Sequence, residues 1–121
     1  MKNIDKKTFV REWIKDLRSG KFKQTQRQLC KKVNGTPTYC CLGVACVTGK
    51  RLGLSKKAFD HNTEHGSGSP KHAWFMNLFD GNTNPEIILP DKTSTNCMAA
   101  NDNLGLSFLQ IADGLERKYL K

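Results

Sequence analysis

Apolar residues recur at helical spacing near both ends of the chain. Phe9, Val10, Trp13, Ile14 and Leu17 share one stripe, which predicts an amphipathic helix over 5–19. Asn3 or Asp5 can cap its start, and Gly20 stands where a left-handed residue closes a helix. Phe108, Ile111, Ala112, Leu115 and Tyr119 repeat the period near the C-terminus, behind Ser107 and Gln110 spaced as a capping box. Between these helices, 25–33 and 36–40 flank Asn34-Gly35, the pair that supplies the two positive-φ residues of a tight hairpin turn. A short antiparallel hairpin is expected there, with Pro37 marking an edge. The apolar run 41–47 fits a buried helix or a strand. Residues 71–79 predict a short helix ended by Asp80-Gly81, and 86–89 a brief strand stopped by Pro90. The stretch 49–70, rich in Gly, Ser, Asn and Lys, reads as a flexible loop. The expectation is an α+β fold, a small antiparallel sheet with two amphipathic terminal helices, forming a single domain over 1–121.

Charge changes the picture most. Residues 1–60 carry 15 Lys+Arg and 4 Asp+Glu, a net of +11, whereas 61–121 carry a net of −2. One region therefore projects a field that concentrates anions. On the first helix Lys7, Arg11, Lys15 and Arg18, spaced four, four and three, form a basic ridge that Glu12 and Asp16 offset only in part. Lys21 and Lys23 extend it around Phe22, and 21–33 hold Lys21, Lys23, Arg27, Lys31 and Lys32 without an acid. The plain alternative is a solvated basic surface. The longest apolar stretch, 40–47, is far short of the ~20 residues that cross a bilayer, so no membrane association is expected.

Five cysteines, Cys30, Cys40, Cys41, Cys46 and Cys97, include no CxxC pair and read as reduced, small hydrophobes of a cytosolic chain. No histidine is placed beside any of them to activate a thiol. His61 and His65 with Glu64 between them match the inverted zincin spacing. The polar residues and the Gly-Ser-Gly-Ser-Pro around them oppose the helix that chemistry needs, even counting His72, so no metal or cofactor is assigned. Asn101-Asp102 either holds a turn before the last helix or reaches a ligand. Trp74 and Tyr39 are packing residues first and ligand walls second.

Three segments, WIKDLRSGKFKQ (13–24), YCCLGVAC (39–46) and NDNLGLSFLQIADGLE (101–116), resemble a family of small, mostly uncharacterised tailed-phage proteins. That family has an LRSGKYKQ-like, a YCCLGVLC-like and a late ND…SF..IAD.IE-like segment in this order. Here Val47-Thr48-Gly49 replaces the acidic residue often found after the second segment. The resemblance implies a phage accessory product acting in the host cytoplasm, in host takeover or counter-defence, by stoichiometric binding rather than turnover.

These readings converge on a binding protein that captures an anionic nucleotide. In a phage setting, that ligand would be a cyclic-nucleotide or ADP-ribose-type immune signal. Lys7, Arg11, Lys15, Arg18, Lys21, Lys23 and Arg27 are the candidate anion-binding residues, and Tyr39, Trp74, Asn101 and Asp102 the candidate further contacts. A pocket between two copies of the basic helix would make the protein a homo-oligomer. The alternatives are a nucleic-acid-binding protein or inhibitor of a host nucleic-acid enzyme, and then a thiol- or metal-dependent enzyme. No catalytic residue is assigned.

Overall fold

A computed structural model describes residues 4–54 and 73–121. Asp5 caps helix α1 (Lys6–Arg18) by accepting the Thr8 N–H at 2.7 Å, and hydrogen bonds from Thr8 hold its carboxyl below the ordinary value. Ser19 and Gly20, at φ 77°, end it. Its buried residues are Phe9, Val10, Trp13, Ile14 and Leu17, the expected stripe. At the other end, Ser107 and Gln110 make both bonds of a capping box ahead of α5 (Phe108–Tyr119). α1 and α5 pack on each other, α1 also on α2 (Cys41–Arg51), and α5 also on β4 (Glu86–Ile88).

The apolar run at 41–47 resolves as helix α2. It begins at Cys40, whose Sγ accepts the Gly43 N–H, and continues through Gly49 to Arg51. The irregular loop expected from 49 therefore starts later, because Thr48 and Gly49 face the core and keep the helix going. The rest of that loop, from 55 onward, and His61, Glu64, His65 and His72 lie outside the described residues. Two α2 glycines exist for close approach. A Cβ on Gly43 would overlap the Leu29 carbonyl, and one on Gly49 the Trp74 ring.

The hairpin forms as β2 (Cys30–Val33) and β3 (Thr36–Tyr39), turned by Asn34 and Gly35 at φ 51° and 79°. A two-residue strand, β1 (Lys23–Gln24), pairs parallel to β3, so the sheet order is β1-β3-β2. Pro37 thus sits on the central strand rather than an edge. β1 reaches only Thr38 and Tyr39, which leaves Pro37 with no neighbour on that side. The fold is α+β as expected, but its three-stranded sheet mixes parallel and antiparallel pairs. A second sheet pairs β4 with β5 (Ser94–Asn96). The polar sequence of β5 gave no alternation to reveal it.

A cluster of Phe9, Trp13, Phe75 and Phe79 joins α1 to α3 (Ala73–Leu78). Its rings stand mostly edge-on, and Phe75 and Phe79 lie 4.8 Å apart at their centroids. α3 ends at Asp80-Gly81, both at positive φ. The Trp13 indole N–H donates to the Cys41 carbonyl at 3.0 Å, fixing α2's start against α1.

Candidate functional site

Asn101 is the buried polar residue on which the basic segment is hung. It lies near the end of α4 (Cys97–Asp102), not in the turn expected there, because Asn96 caps a helix of six residues, too short to show a helical period in the sequence. Its side chain is fully buried and fully bonded. Oδ1 accepts the Cys41 N–H at 3.2 Å and the Gln24 Nε2 at 2.8 Å, while Nδ2 donates to the Thr25 carbonyl and to Asp102 Oδ1. Gln26 Nε2 donates to the Asn101 carbonyl, and the Arg27 N–H to Asp102 Oδ1 at 2.9 Å. Asn101 and Asp102 thus serve the fold, and a buried amide with every partner in place is costly to disturb.

This network shapes an open groove of about 570 Å³ lined by Gln24, Thr25, Gln26, Arg27, Lys31, Gly105 and Leu106. Two of its side chains are cations, and three are uncharged polar groups. Arg27 is held at φ 70°, a left-handed conformation that an arginine adopts at a cost of about 1–2 kcal/mol. Its backbone is fixed through Asp102, so its side chain is exposed at the groove.

The other nominated cations are distributed differently. Lys7, Arg11 and Lys15 remain on the exposed face of α1. The helix's own acids do not oppose them, because Arg51 of α2 engages Glu12 at 2.9 Å and Asp16 at 3.2 Å. Arg18 leaves the ridge. Its guanidinium bonds Asp113 at 2.7 Å and Glu116 at 2.8 Å on α5, and Glu116 is held below its ordinary value chiefly by that bond. Lys21 and Lys23 are exposed on the path into β1. Of the seven cations, Arg27 alone lines this groove. Of its fellow lining residues, Lys31 stands out in the sequence only as part of the acid-free segment 21–33, and Gln24 and Gln26 not at all, though two glutamines set among cations without an acid are a visible signal.

Tyr39 stands edge-on to Phe22 at 5.4 Å, and burial pushes its hydroxyl pKa up. Trp74 packs on Phe9 at 5.5 Å and lines a separate groove with Ile4, Thr8 and Leu78. The cysteines are all buried. Desolvation raises the thiol pKa of Cys40 and Cys41, the opposite of what activates a nucleophile, and Cys41 donates to the Cys97 carbonyl. Among the described residues no group of three or more His, Cys, Asp or Glu could hold a metal ion, and no helix is long and apolar enough to cross a membrane.

No family model matches the chain, and comparison with curated proteins and with solved structures finds no match.

Proposed function

We propose that this protein binds an anionic nucleotide in the groove at Arg27 and Lys31, with the exposed face of α1 supplying an attracting field. The observation that carries the reading is Arg27 itself. A position at φ 70° favours Gly or Asn, yet it holds an arginine whose charge lies at a polar concavity beside Lys31. Phosphate oxygens need converging Lys and Arg donors, and Thr25 adds a hydroxyl. Lys7, Arg11 and Lys15 stand on a convex helix surface, which raises local anion concentration without enclosing a ligand. The resemblance to small tailed-phage proteins fits a role in host takeover or counter-defence, in which capture of a cyclic-nucleotide or ADP-ribose-type signal needs no turnover.

Titration calorimetry with AMP, ADP-ribose and a cyclic dinucleotide tests this. Saturable binding of a nucleotide, weakened at least tenfold in Arg27→Asn/Lys31→Gln, is the expected result. Absence of binding by all three would overturn it. Lys7, Arg11 and Lys15, open on one helix face, favour nucleic acid as the second reading. Its mark would be affinity that grows with oligonucleotide length and falls steeply with salt.

A further inference from the structure

The amides around Asn101 have only one consistent orientation, because backbone groups anchor them. The Leu106 carbonyl can only accept, so the Gln24 atom 2.8 Å from it is the NH₂ group. The Cys41 N–H can only donate, so the Asn101 atom facing it is Oδ1, which then also receives Gln24 Nε2. The Asn101 carbonyl fixes Gln26 Nε2 in the same way at 3.2 Å. Gln24 thereby spends both of its donors on the fold, and Gln26 one of its two. Each keeps Oε1, an acceptor that no donor among the described residues engages. Both side chains line the groove that also holds Arg27 and Lys31.

A groove with two cations and two oriented amide acceptors asks for a ligand that is anionic at one end and a hydrogen-bond donor at the other. Inorganic phosphate meets the first demand but is too small to place a donor at the far end as well. We infer that the groove selects nucleotides whose base carries an exocyclic amine, with Gln24 and Gln26 accepting from that amine and Arg27 and Lys31 holding the phosphate. Leu106, half-buried in the lining, and the neighbouring exposed Leu104 offer apolar surface for the flat face of a base. This inference rests on the nucleotide-binding reading above and goes further by naming the part of the base that is read.

The test is calorimetric titration of the full chain with AMP, with purine riboside 5′-monophosphate, which lacks the amine, and with inorganic phosphate. AMP is expected to bind roughly tenfold more tightly than the amine-free nucleotide, the worth of about one hydrogen bond. Phosphate is expected to be weaker than both. In Gln26→Leu the preference for AMP should shrink, with Gln24 still accepting from the amine, while Arg27→Asn should weaken both nucleotides in equal proportion. Equal affinity of AMP and the amine-free nucleotide for the unaltered protein would overturn this inference and leave nucleotide binding standing. Phosphate binding as tightly as AMP would likewise overturn it. Failure of every nucleotide to bind would overturn both. The comparison within the unaltered chain does not depend on any variant folding.

Discussion

At Gly43 a single hydrogen atom decides whether helix α2 can lie against Leu29. Gly43→Ala would drive a methyl into that backbone carbonyl, which cannot move aside as a side chain can. Overpacking of this kind destabilises by about 1–3 kcal/mol, so the urea midpoint should fall accordingly. Arg27 is the reverse case. Asparagine tolerates a positive φ better than arginine, so Arg27→Asn should raise stability by up to about 1 kcal/mol while weakening nucleotide binding. Opposite signs for stability and binding are the mark of a strained functional residue, and thermal unfolding beside calorimetry reads both. Neither property is written at the residue itself. A glycine and an arginine look ordinary until the partner on another element, here Leu29, or the local φ, is known.

Between elements, the coupling of α1 to α5 carries a pH dependence. Arg18 bonds Glu116 and Asp113, and the Glu116 carboxyl lies below its ordinary value of 4.5. Its folded-state value is depressed, so the unfolded chain binds more protons between the two values. The stabilisation is therefore fully present above pH 4.5 and lost as the pH falls through the folded value. Arg18→Gln should flatten this acid limb and leave α1 intact, measurable as urea midpoints at pH 7 and pH 3. Ser107→Ala removes one half of the α5 capping box and should cost about 1 kcal/mol of unfolding free energy. Both helices were readable because capping and periodicity are local: Asp5, Ser107 and the two apolar stripes act within a few residues. β5 and α4 were not, since segments of three and six residues are too short to show a period and hold position through partners such as Asn84, whose side chain accepts the Met98 N–H.

Across the whole molecule, Asn101 joins α4, the start of α2, and the segment 24–27 in one buried network. Asn101→Ala should lower stability by about 3 kcal/mol and release the groove lining, because several polar groups lose partners together. Loss of nucleotide affinity should accompany it even though Asn101 touches no ligand. The uneven charge acts at the same scale. Arg11→Glu with Lys15→Glu should slow association and reduce its salt dependence while leaving the dissociation rate nearly unchanged, as stopped-flow binding would show.

The amino-acid order alone determined the two terminal helices, the Asn34-Gly35 hairpin and the basic bias of the first half. Each depends on neighbours a turn or less away, or on composition. Tertiary structure alone decided which cations stay available. Arg18 and Lys15 share one helix and one charge, yet only Arg18 meets Asp113 and Glu116, because α5 packs along that side. It alone also set which way the amides of Gln24 and Gln26 point, since the direction of an amide is set by the backbone groups it faces, and those come from residues about 75 to 82 positions away.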